Sequence, residues 1–215
     1  MPTEVEARFR ASSDAVLDEL AGWTRLGMAQ LADPTASDEV DRYLDSDDGR
    51  LAAARWACRL RSRGNGWRVS LKGPMSPVDR ADRPDWLHSR PELEGPATDA
   101  VDPMTWPPSP ARDRLVELSR GATLAERLRL LQRRRERSVT VDGRRIATLS
   151  LDAVRIVAAG VERGTLRIAE LELVPDASPE LLPPLATVLA AVPGLEAEPR
   201  SKLERALERI GADAS

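Results

Sequence analysis

An α+β fold built on an antiparallel β-barrel is what this sequence predicts, and three observations predict it. Short segments that alternate apolar and charged residues recur along the chain at the period-two spacing of strands. Turn signals such as Gly64-Asn65-Gly66 and Asp142-Gly143 separate neighbouring segments, which marks hairpins. Helical spacing is confined to stretches between and after the strands, so helices decorate a sheet rather than follow every strand. The chain has 215 residues, 41% hydrophobic and 31% charged, which suits one domain spanning 1–215 with a core and a dense charge pattern.

Each element follows from its own pattern. Glu4-Val5-Glu6-Ala7-Arg8-Phe9 alternates and reads as a strand. Val16, Leu17, Leu20 and Trp23 predict a helix within Ser12 to Leu31, ended by Asp33-Pro34. A short strand is expected from Arg42 to Asp45, then a turn at Asp47-Asp48-Gly49. Leu51 to Arg63 and Trp67 to Lys72 form a hairpin pair. Residues 74–111, rich in Pro and Asp, read as loop around a short alternating piece at Arg90 to Glu94, which leaves His88 a loop residue without a role. Leu115, Leu118, Leu124, Leu128 and Leu131 predict a helix over Arg112 to Leu131. Strands follow at Arg134 to Val141, Ile146 to Val157 and Thr165 to Val174, and helices at Pro179 to Val192 and Pro199 to Ile210. The total is about eight strands.

Composition excludes several chemistries. Thirty-two Lys+Arg against 35 Asp+Glu leave a net charge of −3, without the basic excess typical of nucleic-acid binding. The single cysteine, Cys58, rules out an internal disulfide and a Cys-rich zinc site, and reads as packing. One histidine, His88, rules out multi-His metal chemistry, so a metal would need carboxylates. No apolar run approaches the ~18–20 residues of a membrane span, and the acidic N-terminus is unlike a leader, so a cytoplasmic protein is expected.

Residues two apart share a strand face, and those faces are ionic here. Glu4, Glu6 and Arg8 lie together, as do Arg59 with Arg61, Arg68 with Ser70 and Lys72, Arg90 with Glu92 and Glu94, and Glu170 with Glu172. Asp152 stands opposite Leu151. One reading makes these solvated outer faces. The other closes the sheet into a barrel whose lumen carries the charges and whose apolar residues face outward under helices. Arginine and carboxylate doublets on strand after strand favour the second. Charges enclosed there need partners of opposite sign, because burying each ion alone costs several kcal/mol. Such a lumen suits a polyanion taken up with Mg²⁺ or Mn²⁺, guanidinium forks on phosphate oxygens and carboxylates on the cation.

In order along the chain, Glu4-Val5-Glu6-Ala7-Arg8, Tyr43-Leu44-Asp45-Ser46, Arg59-Leu60-Arg61, Ser70-Leu71-Lys72-Gly73-Pro74, Arg90-Pro91-Glu92-Leu93-Glu94, Leu151-Asp152, Glu170-Leu171-Glu172 and Ser201-Lys202 resemble the signatures of the CYTH family, the triphosphate tunnel metalloenzymes. The resemblance spans almost the whole chain. It implies an eight-stranded antiparallel tunnel with peripheral and C-terminal helices. It also implies phosphate binding by Arg59, Arg61, Lys72, Arg90, Arg134 and Lys202. The metal ligands it implies are Glu4 and Glu6 with Asp152, Glu170 and Glu172; Glu92 and Glu94 join the acids of the expected site. Tyr43 and Lys72 match a pair that assists hydrolysis in thiamine-triphosphatase members.

Arg8 replaces the signature lysine, keeping the charge while losing any proton-transfer role. In Arg133-Arg134-Arg135-Glu136-Arg137, strand parity turns Arg134 inward, whereas a bulge would substitute Arg135. The expected activity is metal-dependent hydrolysis of a triphosphate, inorganic triphosphate first and nucleoside or thiamine triphosphate next. A non-catalytic triphosphate- or polyphosphate-binding module and an adenylate cyclase are the alternatives. The protein would act as a monomer or homodimer, with neither nucleic acid nor membrane as partner.

Overall fold

The computed structural model describes residues 2–64, 66–74 and 84–212; Asn65 of the hairpin turn and residues 75–83 of the Pro- and Asp-rich stretch lie outside the described residues. Along the chain run β1 (Thr3–Ala11), α1 (Asp14–Gly22), β2 (Arg25–Leu26), β3 (Ala29–Leu31), β4 (Thr35–Ser46), α2 (Arg50–Ala53), β5 (Ala57–Arg63) and β6 (Gly66–Lys72). Then come β7 (Leu87–Ala97), α3 (Pro110–Ser119), β8 (Leu124–Val141), β9 (Arg144–Ala158), β10 (Val161–Leu173), α4 (Leu182–Ala190), β11 (Leu195–Ala197) and α5 (Lys202–Ala212). The strands β8-β4-β5-β6-β7-β1-β10-β9 pair in that order, and β9 pairs with β8 to close an eight-stranded antiparallel barrel. β3 adds to β8, β2 to β3 and β11 to β1.

The helix expected from Ser12 to Leu31 is only α1; Trp23 leaves helical backbone and Gly27, at φ 56°, turns the chain between the two-stranded pair β2–β3. The helix expected over Arg112 to Leu131 stops at α3. Arg120 and Gly121 are left-handed in succession, at φ 50° and 72°, and Leu124 opens the longest strand. A leucine spacing that fits a helix therefore serves a strand, with Leu128 and Leu130 on one face. Arg50–Ala53 is a helical turn where strand was expected, and left-handed Arg55 redirects the chain into β5. β4 and β7 run to 12 and 11 residues, well beyond the short pieces read from sequence. The turn at Asp142-Gly143 is as expected, with both residues at positive φ, and Ala159-Gly160 makes a second turn of the same kind.

Two apolar layers cover the barrel. α1 and α4 pack on Ala7, Phe9, Leu149, Leu151, Ala169 and Leu171. α3 packs its Ala111 and Leu115 on the other flank, against Cys58, Leu60, Val69 and Leu71, and half-buried Trp56 and Trp67 join this layer. These strand residues alternate with the ionic ones, so the polarity is inverted as the lumen reading requires. A third cluster, Leu128, Leu130, Val154, Ile156, Leu166 and Ile168 with Tyr43, shares the inward face at one end, where Leu203, Ala206 and Ile210 of α5 cover it.

β7 carries Gly95 where α3 begins. Ser109 caps that helix by accepting from the Arg112 amide at 3.2 Å, and a Cβ on residue 95 would stand 2.1 Å from the Ser109 hydroxyl. Gly95→Ala is expected to destabilise the protein by roughly 1–3 kcal/mol through overpacking and loss of the cap; urea melts of the two proteins check it.

Candidate active site

Inward-facing side chains of the barrel line a lumen of about 410 Å³. Its walls carry Glu4, Glu6, Arg8, Tyr43, Arg59, Arg61, Lys72, Arg90, Glu92, Glu94, Arg134, Glu170, Glu172 and Lys202. Asp152 lies directly behind them, fully buried. Register explains the assembly, since antiparallel pairing sets Glu6 opposite Glu172, Arg8 opposite Glu170, Glu4 opposite Arg90 and Arg134 opposite Asp152.

Arg135 is the exception. It faces outward and pairs with Asp18 of α1 at 2.7 Å, because β8 keeps its parity through this stretch, its register shifting only before it, at Arg127, and after it, beyond Val139. Arg134 is the inward residue. His88 is also corrected: it is buried in β7, and its Nε2–H donates to the Glu198 carbonyl at 2.8 Å. Burial and nearby Arg8 push its pKa down to about 4, so the ring is neutral.

The acids divide into two groups by their partners. Asp152 takes the Arg134 Nε and Nη2 atoms at 2.7 Å each and the Lys202 amine at 2.5 Å. Glu170 takes Lys202 at 2.6 Å and Arg8 Nε at 2.8 Å. Burial raises both carboxyls, but Lys202 with Arg134, and for Glu170 Arg8 as well, holds them below the usual range. Lys202, from the first turn of α5, thereby ties that helix to the barrel interior.

The second group is Glu4, Glu6 and Glu172, one carboxylate oxygen of each lying within 4.8 Å of the others. Glu4 is held down at about 2, since Lys72 and Arg90 outweigh burial. Burial and the neighbouring acids Glu4 and Glu170 push Glu6 up despite Arg8. Glu172 is exposed to solvent and forms no ion pair among the described residues; partial desolvation of its carboxyl together with the charges of Glu4 and Glu6, against the pull of Lys72, pushes it up to about 8. A knot of acids short of positive charge fits a hard divalent cation held through oxygen. Asp152 and Glu170 are outside that knot. Glu94 is half-exposed beside Arg68 at 3.5 Å, and Glu92 lies 3.4 Å from Lys72 with its own pKa raised by burial and Glu4.

Arg8 is 2% exposed and spends its donors on Glu6, on Glu170 and on the Arg200 carbonyl at 2.9 Å. Arg59 is loosely held, bonded to the Ser70 hydroxyl at 3.0 Å, with acids among the described residues no nearer than 3.7 Å. Tyr43 is pushed up to about 12 by burial and Asp41, which makes it a neutral O–H donor. Asp41 and Glu39, both buried on β4, were not among the residues picked out from sequence. Counting back by twos from Tyr43 would have found them, had β4 been read at its full length.

At one mouth the lumen meets an apolar groove of about 620 Å³. Leu203, Leu207 and Ile210 of α5 line one side and Trp56, Ala57 and Pro74 the other, while Tyr43, Lys72, Arg90 and Ser201 belong to both spaces.

A closed barrel with outward apolar faces and an interior of paired acids and bases defines a charged-tunnel protein. The CYTH domain model matches residues 2–206, and the chain belongs to that family. It is similar to the Hippeastrum protein HpAC1, described as an adenylyl cyclase with a dominant triphosphatase activity, at 18% identity and TM-score 0.65, covering 95% of each chain. A proposed adenylate cyclase of Bacillus halodurans gives 19% identity and TM-score 0.60, over 95% of this chain and 98% of that one. The PH1819 protein of Pyrococcus horikoshii gives 19% and 0.54, over 95% and 99%. No curated protein sequence matches.

Glu172 offers a pH test. Between 4.5, its ordinary value, and about 8, the folded protein holds a proton that the unfolded chain releases, so this group lowers stability as pH rises through that window. Without divalent metal, Glu172→Gln is expected to melt higher than the parent at pH 8 and to lose that advantage at pH 5, as followed by thermal denaturation.

Proposed function

We propose that the protein hydrolyses the terminal phosphoanhydride of a triphosphate inside this tunnel, assisted by Mg²⁺ or Mn²⁺. The observation that carries the reading is the three-acid knot at Glu4, Glu6 and Glu172, set beside the lumen cations Lys72, Arg90 and Arg59. Glu4, Glu6 and Glu172 would hold the cation, which when bound neutralises phosphate oxygens and orients water. Lys72 and Arg90, now turned to Glu4, would share themselves between that acid and the phosphate chain. Arg59, paired only loosely with Asp41 and Glu92 at 3.7 and 3.8 Å, would take phosphate oxygens with its fork. Water adds to the terminal phosphorus as the bond to the bridging oxygen breaks, and Tyr43, protonated at neutral pH, is suited to donate a hydrogen bond to the departing oxygen. Rate would come from position and charge neutralisation, without a covalent intermediate.

The apolar groove favours a second substrate class. A triphosphate threaded past Lys72 and Arg90 would leave an attached organic group against Leu203, Leu207 and Trp56, so nucleoside or thiamine triphosphates compete with inorganic triphosphate as substrates. The family likeness also makes cyclisation of ATP a product to measure.

Phosphate release from triphosphate, ATP and thiamine triphosphate, with and without Mg²⁺ or Mn²⁺, tests the proposal; absence of release from all three overturns it, and cyclic AMP by chromatography would redirect it. Lys72→Ala is expected to lower kcat by on the order of 10²–10³-fold, the loss typical of one charge-stabilising donor, with the melting temperature recorded alongside. Leu207→Glu, at a half-exposed groove position, is expected to lower turnover of organic triphosphates relative to inorganic triphosphate; equal effects on both would remove the groove from substrate recognition.

A further inference from the structure

β4 contributes two acids that no expectation from sequence included. Asp41 is 0% exposed and Glu39 1%. Neither lines the lumen, yet both touch the arginines that do. Asp41 receives the Nε and Nη2 atoms of Arg61 at 2.5 and 2.7 Å, a two-point fork. Its Oδ2 also accepts from Gln132 Nε2 of β8 at 2.7 Å and lies 3.7 Å from Arg59 Nη1. Glu39, whose buried carboxylate oxygens accept no hydrogen bond, forms an ion pair with Arg61 Nη1 at 3.1 Å and lies 3.4 Å from Arg63 and 3.8 Å from Arg134.

The arrangement repeats what Asp152 does on the adjoining strands β8 and β9, where a buried aspartate holds the same two nitrogens of Arg134 at 2.7 Å each. Two neighbouring strand pairs, β4–β5 and β8–β9, thus carry the same device: a lumen arginine whose inner edge is locked by an aspartate behind it. A guanidinium on a free side chain samples many rotamers, and fixing it beforehand removes that cost from the step that needs it. A buried acid so close also cancels part of the arginine's charge, which weakens its pull on an anion. A device that lowers attraction while improving geometry serves turnover rather than capture.

We propose that Asp41, supported by Gln132 and Glu39, is a positioning residue that holds Arg61, and more loosely Arg59, in the orientation that acts on the phosphate chain. The inference rests on the triphosphatase reading. It predicts an uncommon split. Asp41→Asn keeps the shape but removes the buried charge, so Arg61 becomes a stronger and less oriented cation. Triphosphate should bind the variant as tightly as the parent or tighter, while kcat falls on the order of 10- to 100-fold, the scale set by a displacement of about 1 Å in a catalytic group.

The experiment measures triphosphate affinity by calorimetry with Mn²⁺, phosphate release under the same conditions, and melting temperature, for the parent protein, Asp41→Asn and Glu39→Gln. Retained or tighter binding with reduced kcat in Asp41→Asn, and a smaller reduction in Glu39→Gln, supports the assignment. Unchanged kcat overturns it. Weaker binding and slower turnover in proportion, tracking a lowered melting temperature, also overturns it and leaves Asp41 a stability residue. Failure of the parent protein to release phosphate from triphosphate overturns the functional reading and this inference together, whereas an active parent with an indifferent Asp41→Asn overturns this inference alone.

Discussion

Opposite charges held face to face inside a closed sheet are the constraint on which this molecule is built. An arginine or carboxylate removed from water costs several kcal/mol when alone, and the lumen contains many. The barrel tolerates them because most find a partner: neighbouring strands pair Arg134 with Asp152, Arg61 with Asp41 and Arg8 with Glu170, and Lys72 of β6 reaches past β7 to Glu4 of β1. Register is therefore fixed from both sides. A slip of one residue would bring the ionic set under the helices and turn Leu149, Leu151, Ala169 and Leu171 into the lumen.

Where that balance fails, chemistry becomes available. Glu172 is placed by its register opposite Glu6, so acids meet acids at that level of the barrel, with the lysine and arginines engaged on Glu4 and Glu6. The surplus negative charge invites a divalent cation, and a cation there would in turn loosen Lys72 and Arg90 for a polyanion. The same logic links α5 to the interior. Lys202 enters the lumen from the helix, and the apolar face formed by Leu203, Ala206 and Ile210 closes over the apolar end of the barrel. One helix thus serves charge pairing, core closure and one side of the groove.

Much of the site was legible because strand period and residue type are local properties. Glu4-x-Glu6-x-Arg8, Arg59-x-Arg61 and Glu170-x-Glu172 declare a shared face by spacing alone, and the inward placement of Arg134 over Arg135 followed from parity. The failures have physical causes too. Glu39 and Asp41 sit in a run of polar residues that resembles a loop, since a strand whose inner face is ionic lacks the apolar alternation that announces strands. His88 was missed for a similar reason: its neighbourhood is rich in Pro and Asp, although β7 extends through it. The leucines of β8 fit a helical period by coincidence, and Arg120-Gly121, where α3 ends, interrupts them.

The residue pattern by itself determined that ionic and apolar side chains occupy opposite faces of many short strands, because alternation is written into the backbone's two-residue repeat. Which face turns inward was a tertiary matter, decided when β8 and β9 paired to close the ring and the helices covered the apolar side. Closure likewise decided partnership: acids and bases tens of residues apart became neighbours only through strand order. It is that order, rather than composition, which leaves Glu172 without an ion pair among the described residues and gives Arg61 two acids.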